Sequence, residues 1–356
     1  MSQAIPGLLH VPVEESGNSS LEGFRLISFD LRPFVVPEAH RFGKCRPVSD
    51  FDKLTHIGEG AYGTVYKARD KKSNEIVALK KLKIGKEYEC MPINFTREIT
   101  ILKTLQHDNI IDLRAVAVGR SFESTFLVLE YCAYGLARVI DEVGKPLLQQ
   151  PQIKCIMQQL FSGVDYLHKR FVLHRDLNVS NILFTHSGCL KITDFGLSRH
   201  ILPGSMTPNV VSRWYRAPEI LFGSITYTFA IDMWSTGCIF AELLLKKPLF
   251  RADSDCDIIR LIIESLGTPT ESIWPGLSKL PLLQNYDLWW QPNNKLSKTF
   301  EDHPSSCVDL LNDLLVYNPE NRLPAEKCLS HQYFLEAPKA CTHQALVLTL
   351  IASEIL

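Results

Sequence analysis

The residues best suited to chemistry in this chain are one aspartate and two oxygen donors on neighbouring loops. They lie in His174-Arg175-Asp176-Leu177-Asn178-Val179-Ser180-Asn181 and in Asp194-Phe195-Gly196. Asp176 can accept the proton of an attacking hydroxyl. Asn181 and Asp194 offer the hard oxygen atoms that magnesium prefers. A base beside two such donors suits phosphoryl transfer, which depends on positioning and charge neutralisation more than on covalent chemistry. An Asp-Phe-Gly triplet alone is usually just a turn, so its meaning depends on the rest of the chain.

Those residues need elements to hold them. Gly58-Glu59-Gly60-Ala61-Tyr62-Gly63-Thr64-Val65 falls in a strand-turn-strand pattern over Leu54–Tyr66. Its glycines would let the backbone approach phosphates without a Cβ in the way. A dinucleotide loop would run directly into a helix, whereas Val65-Tyr66-Lys67 continues as strand. Val77-Ala78-Leu79-Lys80 belongs to a strand over Glu75–Leu82. A lysine emerging from a buried strand can bridge phosphates if a carboxylate holds it. Glu98 is the candidate, on a helix expected over Phe95–Leu105 from the spacing of Phe95, Ile99 and Leu102. A single lysine is more often a solvated edge residue, but the ordered set of loop, lysine and glutamate reverses that weighting.

Thr125–Tyr131 reads as a buried strand, and from about Leu136 the pattern turns helical. Ile153–His168 carries one broad apolar stripe. Ala230–Leu245 is apolar nearly all round, the mark of a buried central helix, and Asp257–Leu266 and Val308–Val316 are further helices. The expected class is α+β, with a small β-rich lobe carrying one helix, a large mainly helical lobe, and a ligand cleft between them. Two structural anchors are expected as well. Arg322 is a buried partner for Glu219 of Ala217-Pro218-Glu219, and Asp232 holds the backbone of the Asp176 loop.

Composition bounds the alternatives. The chain has 356 residues, 46% hydrophobic and 22% charged, with a net charge of -1. That balance is ordinary for a globular protein and argues against a general nucleic-acid binder. No apolar run is long enough to span a bilayer; Ala345–Ile351 is far too short. The N-terminus lacks the pattern of a secretory signal. The ten cysteines are scattered without metal-ligand spacing, as reduced intracellular thiols would be.

Taken together, these motifs resemble those of eukaryotic protein kinases, over about residues 51–334. Pro92-Ile93-Asn94-Phe95-Thr96-Arg97-Glu98, Trp214-Tyr215-Arg216-Ala217-Pro218-Glu219, and Leu266-Gly267-Thr268-Pro269 through Ile273-Trp274-Pro275-Gly276 narrow the resemblance to the cyclin-dependent kinases. The resemblance implies a bilobal protein-kinase fold, with an N-lobe at about 51–132 and a C-lobe at about 133–334. A divergent extension, 1–50, would precede it and a tail, 335–356, would follow. The implied cofactors are ATP and Mg2+. Asp176, Lys80, Glu98, Asn178 and Ser212 would form the catalytic set, with Asn181 and Asp194 on the metal. Ile57, Gly58, Glu59, Gly60, Ala61, Tyr62, Gly63, Thr64, Val65, Ala78, Lys80, Glu130, Cys132 and Leu183 would surround the nucleotide, with Leu129 as gatekeeper.

Regulation is implied in the same way. Thr207 matches the activation-loop threonine, and Arg97, Arg175 and Arg199 match the cations that would receive its phosphate. Tyr62 is either an inhibitory phosphorylation position or a packing residue. Val210 and Val211 match the pocket for a proline after the target residue, so protein substrates with Ser-Pro or Thr-Pro are implied. The implied partner is a cyclin, of the M type, and the implied location is intracellular, in nucleus and/or cytoplasm, without nucleic-acid or membrane partners.

The chain also departs from the family. Asn178 replaces a lysine that contacts the transferred phosphate, Ser212 replaces a threonine, and Gly135 stands where relatives often carry an aspartate. The stretch from Asp194 to Thr207 is slightly shorter than in relatives. Losing one charged donor to a transition state costs about 2–4 kcal/mol, roughly two to three orders of magnitude in rate. The sequence therefore supports an active, cyclin-dependent Ser/Thr kinase slowed by Asn178, with an impaired kinase serving as a cyclin- or substrate-binding scaffold as the alternative.

Overall fold

The computed structural model describes residues 25–27, 33–35, 45–60, 63–83, 93–120, 124–141, 148–201, 210–286 and 288–352. The chain divides into two compact units, Met1–Leu105 with Asp112–Tyr131, and Gln106–Ile111 with Cys132–Leu356. Most of the N-terminal extension lies outside the described residues; within it, Arg25–Ile27 pairs antiparallel with Pro33–Val35.

The first unit is a twisted sheet with a helix on one face. Strands Phe51–Gly60, Gly63–Asp70 and Ile76–Leu82 follow one another antiparallel, then Thr125–Glu130 and Leu113–Val118 complete the order. The short segment Arg46–Pro47 adds parallel to Leu113–Val118. Alternation sorts the side chains onto two faces. Phe51, Ala68, Val77, Leu79, Phe126 and Val128 pack on one. Leu82, Val116 and Leu127 pack on the other, against Phe95 and Ile99 one turn apart on the helix Ile93–Thr104. Leu113–Val118 is a strand the sequence does not announce. It has β-branched residues but few of them, and its pairing with Thr125–Glu130 is what makes it a strand.

Arg46 pins the edge of this sheet by a bidentate pair to Asp70, at 2.5 and 2.7 Å. The guanidinium holds the Asp70 carboxyl well below the usual carboxylate range. A depressed folded value means the stabilisation is present above the unfolded pKa of about 3.9 and fades as pH falls towards the folded value. Asp70→Asn is therefore expected to lower the unfolding temperature at neutral pH. It should also flatten the loss of stability between about pH 4 and about pH 2, as measured by thermal melts across that range. An acid limb as steep as the parent's would show that the pair contributes nothing.

The second unit is mainly helical. Gln150–Lys169 starts with a Gln149/Gln152 capping box and Pro151 in its first turn. It buries Ile153, Ile156, Met157, Leu160, Val164 and Leu167. Ala230–Leu245 is buried from Ala230 through Leu244, the central helix its composition demands. Asp255–Leu266 opens on the N-cap Ser254, whose hydroxyl accepts from the Asp257 N–H. The expected helix over Val308–Val316 instead runs Ser305–Leu314, beginning after Pro304. A three-stranded ladder, Leu190–Ile192, Ile182–Phe184 and Tyr134–Gly135, stands beside these helices, and Val172–Leu173 pairs with Arg199–His200. The nine described cysteines are not joined to one another by disulfides.

The C-terminal segment, expected as a plain tail, holds a helix. His343–Ala352 buries Leu346 and Leu350 completely. It rests on the turn at Gly188, where φ is +80° and a Cβ would overlap the His343 carbonyl oxygen. The Cys341 N–H donates to Pro151, and Lys154 reaches the Glu336 carbonyl at 3.0 Å. Apolar all round, this segment shows no helical period; the surface it covers decides its conformation.

Candidate active site

In the first unit, the register aligns Gly58, Val65, Lys80 and Leu127 across four strands. Lys80 points to the helix-covered face, where its Nζ meets Glu98 Oε1 at 2.8 Å. Both side chains are nearly excluded from water, so the charges are held to one geometry. Ala78, on the same face two residues earlier, is also buried. The glycine loop closes tightly, with Glu59 opposite Thr64 and Gly60 opposite Gly63. Gly63 is sterically required, since a Cβ would overlap the Lys81 carbonyl oxygen, whereas Gly58 faces open space. Ala61 and Tyr62 lie outside the described residues. Ile57 is exposed and Leu129 half-buried. Glu130 is braced twice to Asp112, its N–H donating to the Asp112 carbonyl and its carboxylate accepting the Asp112 N–H.

In the second unit the loop around Asp176 is fixed from below by Asp232. That carboxylate accepts the His174 and Arg175 N–H groups, both at 2.9 Å, and His168 Nε2 at 3.1 Å. Burial pushes the Asp232 carboxyl up, but the His168 contact and the charges and donors around it outweigh that and leave it below its ordinary value. His174 Nδ1 accepts the Asp176 N–H at 3.3 Å, and its other nitrogen donates to the Thr193 carbonyl at 2.9 Å. The same ring packs edge-on against Phe195 at 5.0 Å between centroids. His174 thus ties the Asp176 loop to the Asp194 loop, a role its place in the motif does not disclose.

Three donors orient the Asp176 carboxylate. Ser212 N–H and Oγ–H reach Oδ1 at 3.0 and 2.7 Å, and Asn181 Nδ2 reaches Oδ2 at 3.1 Å. Asn181 precedes the strand Ile182–Phe184 and Asp194 follows closely on its antiparallel partner Leu190–Ile192, whose register sets Ile182 against Ile192. The two donors are therefore carried at one end of the ladder, and Thr193 fastens it by donating N–H and hydroxyl to the Asn181 carbonyl. Asp194 sits at φ +61°, a conformation uncommon outside glycine and typical of a functionally constrained backbone.

This donor set fits magnesium. With Nδ2 turned to Asp176, Asn181 keeps its amide oxygen outward from that bond. Among the described residues no group of three or more His, Cys, Asp or Glu side chains could hold a metal alone. Magnesium commonly takes only one or two protein oxygens and completes its shell with water and phosphate.

Asn178 is buried and committed within the loop. Its Oδ1 accepts the N–H groups of Ser180 and Asn181 at 2.9 and 3.2 Å, capping the turn Val179–Asn181. Its Nδ2 donates to the Asp176 carbonyl at 3.0 Å and to Ser212 Oγ at 3.4 Å. Exchanging the amide's oxygen and nitrogen would set donor against donor and acceptor against acceptor, so the bonds fix its orientation. Both amide hydrogens are engaged.

Arg175 and Arg199 both belong to this unit; Leu173 pairs with Arg199, and Arg175 is two residues on. Arg175 is buried, donating to the Leu197 carbonyl and the Tyr227 hydroxyl. Arg97 belongs to the first unit, and Thr207 lies outside the described residues. Val210 and Val211 are both buried, and Val211 adopts φ +73°, a strained state for a β-branched residue. Arg216 clasps the Val210 and Val211 carbonyls and is itself held by Asp255 at 3.0 and 3.1 Å. Sequence reasoning does not single out Arg216 and Asp255, which hold the Val210 and Val211 carbonyls; Arg216 lies inside a recognised motif, but Asp255 has no local signal. Leu183 is paired with Gly135, and a Cβ at Gly135 would make only an ordinary contact with it. Both anchors behave as anticipated, with Arg322 gripping Glu219 at 2.6 and 2.7 Å in full burial.

Known proteins share these features. Residues 51–334 match the family described as protein kinase domain. Cyclin-dependent kinase 10 of Mus musculus is 49% identical over 310 residues, covering 86% of each chain. Its Homo sapiens counterpart gives the same identity and coverage. Cyclin-dependent kinase G-2 of Oryza sativa subsp. indica is 48% identical over 306 residues, 83% of this chain and 42% of the relative. A chain in the structure of the CAK complex of Chaetomium thermophilum bound to ATP-gamma-S superposes with a TM-score of 0.74. It is 36% identical, covering 83% of this chain and 94% of that one. The chain belongs to the protein kinase family, as a serine/threonine kinase of the cyclin-dependent type. Its β-sheet with one helix, followed by a mainly helical region, is the protein kinase fold, and the family uses ATP and magnesium. No helix among the described residues is long and apolar enough to cross a membrane.

Proposed function

We propose that this kinase moves the γ-phosphate of ATP to serine or threonine followed by proline, in complex with a cyclin and after phosphorylation of Thr207. Asp176 accepts the hydroxyl proton, held for that task by Ser212 and Asn181. Lys80, fixed by Glu98, meets the nucleotide phosphates. When bound at Asn181 and Asp194, magnesium supplies charge neutralisation for the phosphates. The names of the relatives support a cyclin partner, for which the M type is our assignment. We place the complex inside the cell, in nucleus and/or cytoplasm.

Val211 carries the proline preference. Its left-handed backbone turns the carbonyl onto Arg216, where it is already bonded at 3.0 Å. A substrate N–H arriving there would find no acceptor and lose its hydrogen bond to water. Proline has no N–H to lose.

A second reading rests on Asn178. With its amide spent inside the loop, Asn178 offers no lysine-like contact to the transferred phosphate, which fits a weak kinase acting as a scaffold. One experiment addresses both: transfer from Mg-ATP to Ser-Pro and Ser-Ala peptides, by the cyclin complex of the parent and of Asn178→Lys. We expect transfer by the parent, a strong Ser-Pro preference, and a rate in the variant raised by about tenfold to a hundredfold, the roughly two to three orders from the regained charge being offset by about tenfold from the lost Asn178 bonds. Equal rates on the two peptides would overturn the role given to Val211. Silence from the parent with good transfer by the variant would establish the scaffold reading.

A further inference from the structure

We infer that Asn178 is a positioning residue for magnesium, acting through Asn181, and not a weakened substitute for a phosphate-binding lysine. The inference rests on the assignment of Asn181 as a metal ligand. A lysine at this place would send its charge outward to the phosphate. Asn178 does the reverse: its side chain turns back into the protein and is buried.

The bonds say what it holds. Its Oδ1 accepts the backbone N–H of Asn181 itself, at 3.2 Å, and that of Ser180, at 2.9 Å. A cap of this kind fixes the turn on which the next side chains are carried. The Asn181 side chain is fixed separately, by donating to the Asp176 carbonyl and carboxylate. The Asp176 carbonyl is also gripped by Asn178 Nδ2 at 3.0 Å. Asn178 therefore touches the ligand's backbone and the acceptor that orients its amide. Ser212 Oγ, 3.4 Å from Nδ2, joins the base to the same network. Groups that orient a metal ligand without touching the metal commonly govern metal affinity by about 10–100-fold.

A direct phosphate contact and a positioning role differ in an observable way. A phosphate contact works with or without metal. A residue that orients Asn181 matters only when magnesium is bound. The test is the equilibrium affinity for a non-hydrolysable ATP analogue, by calorimetry on the whole chain, in magnesium and in EDTA. The variants are Asn178→Ala, Asn178→Ser and Asn181→Ala. Serine keeps a cap acceptor, and alanine has none.

We expect Asn178→Ala to lose about tenfold of the affinity gained from magnesium. Asn178→Ser should keep most of that gain, and affinities in EDTA should stay together. Equal weakening of Asn178→Ala in magnesium and EDTA would overturn the proposal, as would a magnesium gain unchanged from the parent. Thermal melts in EDTA separate misfolding from loss of position: Asn178→Ser must keep most of the magnesium gain even if both variants melt earlier. Asn181→Ala guards the premise. If it keeps the full magnesium gain, the metal assignment fails, and the positioning role falls with it for a reason the Asn178 variants alone would not reveal.

Discussion

Asp176→Asn is expected to lower kcat by about 10²–10⁴-fold while leaving the fold intact. Three donors are aimed at this carboxylate: Ser212 N–H, Ser212 Oγ–H and Asn181 Nδ2. A carboxylate accepts all three. An amide accepts with one oxygen only. The Ser212 N–H is fixed by the backbone, so the amide oxygen must face it, and the amide NH2 then opposes Asn181 Nδ2. The variant loses the proposed proton acceptor and disturbs a proposed metal ligand at once. Single-turnover transfer to a Ser-Pro peptide checks the first effect. A rate within about tenfold of the parent would remove Asp176 from its role as base. Melting temperature checks that the fold survives, as a near-isosteric change at this position should allow.

The largest stability effect is expected at Arg322. Its guanidinium makes a two-point pair with Glu219 at 2.6 and 2.7 Å and also bonds the carbonyls of Val316, Tyr317 and Ala230. Arg322 is 0% and Glu219 4% exposed at the side chain. Arg322→Met leaves a carboxylate buried without its partner, at a cost of about 3–5 kcal/mol. Most of that is the penalty for an uncompensated charge, not the net worth of the pair. Replacing both residues by apolar ones should accordingly recover a good part of the loss. Urea unfolding of Arg322→Met, Glu219→Leu and the double variant decides the matter. A double variant as unstable as the sum of the singles would show that the two charges do not act as a pair.

Much of this site is legible in the amino-acid sequence alone. The Lys80–Glu98 pair, the Glu219–Arg322 pair and the Asp232 anchor are each expected from the motifs in which their residues stand, and each joins residues that the fold brings together. Glu98 rides on the periodic helix Ile93–Thr104, and His168, which touches Asp232, on the periodic helix Gln150–Lys169. Other features have no local signal. The helix His343–Ala352 exists because the Gly188 turn offers it a surface. The Arg216–Asp255 clasp on Val211 depends on Asp255, which stands in no motif.

Asn178 shows where the division lies. By itself the sequence determined the residue types on which the proposed chemistry rests: an aspartate, two oxygen-bearing side chains, a lysine with a candidate carboxylate partner, and one missing charge at Asn178. Residue types settle that, because an amide cannot carry a lysine's charge in any conformation. Only the tertiary structure decided where the amide points. Its direction depends on which donors and acceptors surround it, and those come from Asp176, Ser180, Asn181 and the distant Ser212. A buried amide turns to satisfy all its hydrogen bonds, and that demand is a property of the packed loop, not of the residue alone.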